Sequence, residues 1–202
     1  MCVFVLGVSA SATEKSPQWF STELKTGFWL PSNSKVEGFF GQCCNLISRA
    51  EFGLLLDSKY GFEGGAGFFI KDGKSIGKTT GAVSADTFGF YLIPLETNLT
   101  YRADFIENQI VVPYVKAGTD YIFFRESDQG KITKGFKYGY HGTGGLQILM
   151  EWFDEASGAL EREGINDVYL TLEATYQKVD DFGKGGLDLS GWVYSAGLLF
   201  EY

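Results

Sequence analysis

Ten charged side chains stand at alternate positions inside segments that are otherwise rich in apolar residues. Because alternate residues of an extended strand point to the same face, these charges share one face of the strands that carry them. Charges gathered on one side of a sheet either line a path for ions or pair with each other, since an unpaired buried charge is costly. The ten residues are Glu23, Lys25, Arg49, Glu51, Glu63, Arg102, Lys116, Asp120, Glu151 and Glu173.

His141 is the single histidine of the chain and the first residue to consider as a general base. A histidine that meets a serine and a carboxylate would indicate acyl transfer, but one sequence does not show such contacts. No serine stands in a strong nucleophile motif. The run Gly142 to Gly145 lacks the strand-to-helix context of a phosphate-binding loop. A lone histidine at a strand end is more typical of a surface or an interface, so we predict no catalytic residue and no cofactor.

The three cysteines do not form a promising metal site. Cys43 and Cys44 are adjacent, which would strain a disulfide between them, and Cys2 lies in the extreme N-terminal segment. A single Cys-Cys pair is a poor metal site without other soft ligands nearby. We predict free or externally paired thiols in a loop, with a vicinal disulfide as the alternative, and no metal.

The overall composition excludes some classes of function. A formal net charge of −8 and a pI of about 4.7 leave no basic stripe that could neutralise nucleic-acid phosphates. No apolar run approaches the roughly 20 residues of a membrane-spanning helix. Aromatic residues nevertheless make up 16% of the chain, and they recur in alternation with small or polar residues. This pattern is typical of strands with one apolar and one polar face.

The last stretch, from Leu189 to Tyr202, shows this alternation most clearly. Its even-numbered residues from Trp192 onward are mostly aromatic or apolar, and many of its odd-numbered residues are small or polar. A soluble sheet would rarely end on such a strand, because its apolar face and its edge would stay exposed. In a closed transmembrane barrel, lipid covers the apolar face and the first strand covers the edge.

Seven further segments alternate in the same way, and most approach the roughly 9–11 residues that a tilted strand needs to span a bilayer. The phase slips by one residue past Pro94, which predicts a β-bulge there. The predicted strands span residues 19–30, 48–59, 62–71, 87–102, 113–123, 140–152, 167–178 and 189–202.

The connections differ between the two ends of the predicted barrel. Long polar loops are predicted at 31–47, 72–86, 125–139 and 179–189, and the connections at 60–61, 103–112 and 153–166 lie at the opposite end. Aromatic side chains are favoured at both membrane interfaces. The residues predicted to lie there are Trp19, Trp29, Trp152, Trp192 and Tyr202.

The N-terminus has the features of a targeting segment. A short apolar run, Val3 to Val8, precedes Ala10-Ser11-Ala12, which has the small-x-small form of a signal-peptidase site. The basic segment that usually begins a signal peptide is missing. We therefore predict that residues 1–12 are the remnant of a secretory signal peptide and that residues 13–202 form one domain outside the cytoplasm.

Taken together, these features resemble a known class of membrane protein. The signal-like start, the segments LIPLETNLTYRADF and VVPYVKAGTDYIFF, and the ending GLLFEY are similar to small outer-membrane β-barrels of the OmpA-transmembrane-domain, OmpX and OmpW type. The resemblance covers nearly all of residues 19–202. It implies an all-β, closed antiparallel up-and-down barrel in the outer membrane of a Gram-negative bacterium. It also implies that the barrel-assembly machinery reads the C-terminal strand, which ends here on Tyr202 where Phe is more usual.

An eight-stranded barrel is just wide enough to be filled by its own side chains. We therefore predict a structural or interaction protein whose lumen is packed with the ten charges, whose surface meets lipid and whose loops offer a site for a protein partner. Two alternatives stay open: a lipid-modifying enzyme with His141 as its base, and a narrow channel or ligand-binding barrel. A soluble lipocalin-like calyx is disfavoured, because it needs an apolar inner face.

Overall fold

The computed structural model describes residues 19–34, 36, 45–76, 83–106, 109–128, 131–150, 164–184 and 186–202. Eight strands follow one another along the chain, each pairs antiparallel with the next, and β8 pairs with β1 to close a barrel. The strands are β1 (Phe20–Pro31), β2 (Leu46–Leu55), β3 (Tyr60–Ile76), β4 (Val83–Arg102), β5 (Val111–Asp128), β6 (Lys131–Leu149), β7 (Asp167–Lys178) and β8 (Gly191–Glu201). In these ranges no helix is long and apolar enough to cross a membrane.

The two ends of the barrel are distinguished by the chain. We call the end that holds Trp19 and Tyr202 the proximal end, and the opposite end the distal end. At the proximal end the Trp19 N–H donates to the Tyr202 carbonyl at 3.0 Å, and the Tyr202 N–H donates to the Phe20 carbonyl at 2.9 Å. The last residue therefore takes part in closing the barrel.

Polar residues face inward and apolar residues face outward along most of each strand. On β1, Leu24 is 63% exposed whereas its neighbour Lys25 is 6% exposed. Strands approach closely where glycine faces a neighbouring backbone. A Cβ on Gly27, for example, would collide with the backbone of Tyr194 and Ser195. The alternation predicted from the sequence is therefore confirmed, and it places polar groups inside the barrel.

The four central strands are longer than predicted. β7 has the predicted bounds, but β3, β4, β5 and β6 contain 17, 20, 18 and 19 residues. The loops predicted at 72–86 and 125–139 are wrong, because most of these polar segments continue the hairpins, as in the pair Ser127 and Ile132. Polar residues on both faces of a solvated strand remove the alternation from which strands are predicted.

The connection between β2 and β3 also differs from the prediction. The turn lies at residues 56–59 and Tyr60 already begins β3, whereas the prediction placed the turn at residues 60–61. The Asp57 carboxylate accepts the N–H groups of Lys59 and Tyr60, both at 2.7 Å. Aspartate often closes a tight turn in this way.

The β-bulge predicted at Pro94 is also wrong. The register between β3 and β4 is the same on both sides of this residue, with Ala66 opposite Leu95 and Phe69 opposite Leu92. Leu92 points inward and Ile93 points outward, so the side chains alternate without a slip. The apparent slip arises because the inner face itself becomes apolar towards the distal end.

Candidate functional site

A polar layer fills the middle of the lumen and is built around two lysines. The Lys116 ammonium lies 2.7 Å from Glu63, 2.8 Å from Glu51, 3.2 Å from Glu173 and 3.3 Å from Glu23. The Lys25 ammonium lies 2.7 Å from Glu173 and also contacts Glu51. Five strands therefore meet in one network of ion pairs. We define the polar layer as Glu23, Lys25, Glu51, Glu63, Lys116 and Glu173.

Hydroxyl groups donate further hydrogen bonds to three of these four carboxylates. The Thr171 hydroxyl donates to Glu23 at 2.6 Å, the Thr100 hydroxyl donates to Glu63 at 2.8 Å, and the Tyr114 phenol donates to Glu173 at 2.9 Å. Buried ions are stable only when their geometry is good and their remaining sites are hydrogen-bonded. The layer therefore has the construction of a packed ionic core.

His141 lies deeper than expected, in a second group of inward side chains. Its Nδ1 is 3.0 Å from Asp120 Oδ1 and its Nε2 is 2.5 Å from Asn98 Oδ1. A carboxylate oxygen of Glu96 lies within 4.8 Å of a carboxylate oxygen of Asp120 and of a ring nitrogen of His141. We call Glu96, Asn98, Asp120 and His141 the His141 cluster. All four are buried, and they come from β4, β5 and β6.

The distal end of the lumen is closed by apolar side chains. The Trp29 ring meets the Phe69 ring edge-on, with centroids 5.7 Å apart. The cluster includes residues from β1 to β5, from β8 and from the connections that follow β1 and β7. We call it the apolar plug, and it contains Trp29, Val36, Ile47, Phe69, Phe90, Leu92, Ile122, Val179, Leu189 and Val193.

The proximal end has a smaller closure of mixed character. Val112, Tyr169 and Leu199 are buried against each other. Arg102 donates to Glu201 at 2.5 Å, and its guanidinium lies 5.4 Å from the centroid of the Tyr169 ring. The inner face of the barrel therefore passes from this closure through the polar layer to the apolar plug.

One connection at the distal end is fixed by charge. Asp181 follows β7, accepts a hydrogen bond from the Lys137 ammonium at 2.6 Å and accepts the Tyr138 N–H at 2.9 Å. The hydrogen bond from Lys137 is the main reason that the pKa of Asp181 lies below its ordinary value. Asp181 and Phe182 both have a φ of 56°, a left-handed conformation that side chains rarely adopt. These contacts tie the β7–β8 connection to β6.

The structure places nine of the ten predicted charges on the inner face, where they are buried. Glu151 and Trp152 lie outside the described residues, as do Cys43, Cys44 and the predicted signal remnant, residues 1–12. Of the predicted interface aromatics, Trp19 is 70% exposed and Trp192 is 43% exposed. Tyr202 is half-buried, with its ring centroid 5.8 Å from that of Phe20.

Two predicted positions are corrected by the structure. Trp29 is 2% exposed and belongs to the apolar plug, so it does not lie at a membrane interface. Trp29 is an even number of residues from Lys25 on β1, so the two side chains point to the same face. This spacing would have indicated that the Trp29 ring points inward. His141 is not a surface residue, because it faces the lumen from within β6.

Sequence reasoning also missed Glu96, Asn98 and Tyr114 as members of the buried polar network. Glu96 and Asn98 share the parity of Arg102 on β4, and Tyr114 shares the parity of Lys116 on β5. The signal was therefore present in the alternation. Their mutual contacts depend on the register between strands, which the sequence does not give.

The outer surface carries an apolar belt with aromatic residues towards both ends. Near the proximal end the rings of Tyr60 and Tyr101 lie 5.3 Å apart. Towards the distal end Tyr176 and Trp192 lie 5.2 Å apart, and Tyr121 lies 5.0 Å from Tyr138. Between these two groups of aromatic rings, the exposed aliphatic side chains include Leu24, Leu54 and Leu99. Such a belt matches a lipid-facing surface flanked by aromatic girdles.

The comparisons with known proteins rest on structure. No protein-family model matches the chain, and no curated protein matches it. The outer-membrane protein OprG of Pseudomonas aeruginosa is similar with a TM-score of 0.61 and 14% identity, over 93% of this chain and 98% of that chain. Neisserial surface protein A has a TM-score of 0.56 and 14% identity, over 91% and 97% of the two chains.

A major outer-membrane protein of Thermus thermophilus has a TM-score of 0.55 and 12% identity, over 93% of this chain and 100% of that chain. At these identities the likeness concerns the fold. It agrees with the closed eight-stranded topology and with the apolar outer belt. The chain therefore has the fold of the small eight-stranded barrels of bacterial outer membranes.

Proposed function

We propose that this chain is a structural or interaction protein of the outer membrane, with a closed lumen and a partner at its distal end. The observation that carries the proposal is the filling of the lumen by the polar layer and the apolar plug. Barrels with an open aqueous channel have about 16 strands or more, whereas the interior of eight strands is just wide enough to be filled by side chains.

Location in the outer membrane is supported by the outer surface and by the solved structures of similar fold, which are bacterial outer-membrane proteins. Large apolar side chains such as Leu24, Phe52 and Ile70 would be unfavourable in water when they form a continuous belt. In a bilayer the same belt contacts acyl chains, so lipid is the first partner of the barrel.

A partner at the distal end is supported by the distribution of charge in the sequence. Segments 31–45, 71–89, 125–138 and 178–190 together contain ten Lys or Arg residues and eight Asp or Glu residues. The segments 56–60, 103–110 and 150–167, at the proximal end, contain two Lys or Arg residues and nine Asp or Glu residues. A partner with an anionic surface would therefore be repelled less at the distal end than at the proximal end.

Membrane fractionation followed by conductance measurements tests the proposal. The unboiled protein should migrate differently from the boiled protein on a gel, and it should need detergent to stay monodisperse. In a planar bilayer it should give no stable single-channel currents. Large, stable channels of a single copy would contradict the closed lumen, and a monodisperse detergent-free monomer would contradict the membrane location.

The assembly partner is tested with a change at the last residue. Tyr202→Asp should lower the amount of folded protein in the outer membrane of cells, because we propose that assembly factors read this end of β8. Refolding into detergent should suffer less, since a charge near an interface costs about 1 kcal/mol or less. The matched change Phe182→Asp, on the exposed β7–β8 connection, should leave cellular assembly near its normal level. Normal assembly of the Tyr202 variant would remove this part of the proposal.

The enzyme alternative receives little support from the position of its base. Both ring nitrogens of His141 are occupied by Asp120 and Asn98, and the ring faces the lumen and not the lipid. Release of an acyl chain from outer-membrane lipid that is lost in His141→Gln would favour this alternative over the structural role.

A further inference from the structure

The lumen between the two apolar closures contains more acids than bases. Burial makes an excess of like charge costly unless protons or cations compensate it. Six carboxylates face three permanently charged bases there, among the residues that the structure describes. The acids are Glu23, Glu51, Glu63, Glu96, Asp120 and Glu173, and the bases are Lys25, Arg49 and Lys116.

The compensation is uneven between two groups of carboxylates. Glu23, Glu51 and Glu173 surround the ammonium groups of Lys25 and Lys116. In the His141 cluster no described lysine contacts a carboxylate, and the ion pair found there joins Arg49 to Glu96 at 3.5 Å. The first group therefore surrounds two ammonium groups at short distances, whereas the second has one guanidinium, at 3.5 Å from Glu96.

Of the four fully buried carboxylate oxygens without a hydrogen bond among the described residues, two lie in the His141 cluster; the others are Glu63 Oε2, which meets the Lys116 ammonium, and Glu201 Oε2. Asp120 Oδ2 and Glu96 Oε1 are fully buried and have no hydrogen-bond donor among the described residues. Asp120 and Glu96 are 4% and 6% exposed. Buried carboxylate oxygens without a donor are rare and require an explanation. A bound cation would supply the missing partner for both.

The two contacts of the histidine ring fit a metal ion on Nδ1. A neutral imidazole has one N–H, yet Nδ1 and Nε2 both face oxygen atoms, of Asp120 and Asn98. If Nε2–H donates to the Asn98 carbonyl oxygen, the lone pair of Nδ1 is directed at Asp120. Metal-binding histidines usually donate their other N–H to a carbonyl or carboxylate in this way.

We propose that the His141 cluster binds one Zn²⁺ ion through His141 Nδ1, Asp120 and Glu96, with Asn98 orienting the imidazole. Nitrogen and oxygen ligands at about 2.0–2.2 Å suit Zn²⁺, and two of them on one tetrahedral ion lie a little over 3 Å apart. The 3.0 Å between Nδ1 and Asp120 Oδ1 is close to that separation. The Glu96 carboxylate, whose oxygen lies within 4.8 Å of the other two ligand atoms, would complete the set.

Two glycines keep the space around the cluster open. A Cβ on Gly118 would lie 2.7 Å from the His141 Cε1 atom, and a Cβ on Gly65 would lie 3.0 Å from Glu96 Oε1. Larger residues there would press on the imidazole and on the carboxylate. The bound ion would join the adjacent strands β4, β5 and β6 on one side of the lumen.

The experiment uses the full chain with its three cysteines changed to serine, because thiolates would otherwise bind Zn²⁺ themselves. The protein is refolded into detergent with a chelator, dialysed against Zn²⁺ and then against buffer, and analysed for metal content. We expect about one Zn²⁺ per chain. His141→Gln and Asp120→Asn should bind at least about 10-fold more weakly. Glu63→Gln, which removes a lumen carboxylate outside the cluster, should bind like the parent.

A second measurement needs no variant of the cluster. Because His141 is the single histidine, ¹⁵N-histidine labelling gives one pair of ring signals. Zn²⁺ should shift the Nδ1 signal and leave a protonated Nε2. Unchanged ring signals, a shift confined to Nε2, the absence of stoichiometric metal, or equal binding by the His141 variant would each overturn the proposal.

Discussion

The middle of the lumen and its distal end are closed by opposite kinds of chemistry. In the polar layer, Lys25 and Lys116 hold together four carboxylates from four strands. In the apolar plug, rings and aliphatic chains such as Trp29 and Leu92 close the same cylinder. The polar layer is a balance of charges in which each member depends on the others. The plug is stabilised by the packing of apolar side chains, so truncating one of them leaves a cavity.

The largest effect is expected from Lys116→Met, which keeps much of the volume but removes one of the two shared cations. Glu23, Glu51 and Glu173 would then depend on Lys25, and Glu63 would lose the one ion pair that it has among the described residues. Removing one partner of a buried ion pair costs about 3–5 kcal/mol. Urea unfolding followed by the heat-modifiable gel band measures the loss. Lys59→Met in the exposed 56–59 turn is the matched control. A Lys116 variant as stable as the control would show that the charges of the polar layer are not interdependent.

A smaller effect is expected in the apolar plug from Leu92→Ala. Removing a buried leucine side chain costs about 2–5 kcal/mol, according to how far the surroundings relax into the cavity. Leu92 is 4% exposed, whereas Leu99 on the same strand is 64% exposed and faces the belt. The difference in urea midpoint between Leu92→Ala and Leu99→Ala isolates the contribution of packing inside the lumen. Equal midpoints would mean that the plug is not packed as a core.

The smallest effect concerns the β7–β8 connection above the plug. The pKa of Asp181 is lowered by the Lys137 hydrogen bond, so the contact stabilises the connection at pH values above the ordinary Asp pKa of 3.8. That stabilisation is lost as the pH falls from about 4 through the lowered pKa of Asp181, because the carboxylate is then protonated. The Tyr138 amide donates to Asp181, so its hydrogen-exchange rate measures how firmly the connection is held. Asp181→Asn should exchange faster at neutral pH and should lose the dependence below pH 4. An unchanged exchange rate in this variant at neutral pH would show that the carboxylate does not hold the connection.

The fold and the polar layer could be predicted from the sequence because they follow from alternation. Glu51 and Lys116 stand between outward apolar neighbours, and that contrast gives both their strand and their face. The plug could not be found in this way. From Phe90 to Ile93 both faces are apolar or aromatic, so the alternation of side chains continues while the alternation of polarity disappears.

The His141 cluster was missed for a different reason. Any two of Asn98, Asp120 and His141 are more than 20 residues apart in the sequence. They meet because β4, β5 and β6 pair in one particular register. Alternation gives the face of each residue but not its height in the barrel. A one-residue slip in one pairing would separate the three side chains.

The unequal lengths of the strands have a consequence for the distal rim of the barrel. β3 to β6 continue beyond their neighbours at the distal end, since the β2–β3 pairing stops at Phe68 and the β6–β7 pairing starts at Tyr140. The extensions pair with each other, so in the described residues a four-stranded fin rises above one side of the rim. Its outer edges are on β3 and β6, and the base of the β6 edge is covered where the Asp181 N–H donates to the Tyr138 carbonyl at 3.1 Å. Such edges invite strand addition by neighbouring molecules, and charged residues, especially lysine, discourage it. On the described part of the β6 edge, Lys134 is exposed, whereas Lys137 points inward and contacts Asp181. In a crowded membrane the charge of Lys134 would oppose edge-to-edge joining of adjacent copies.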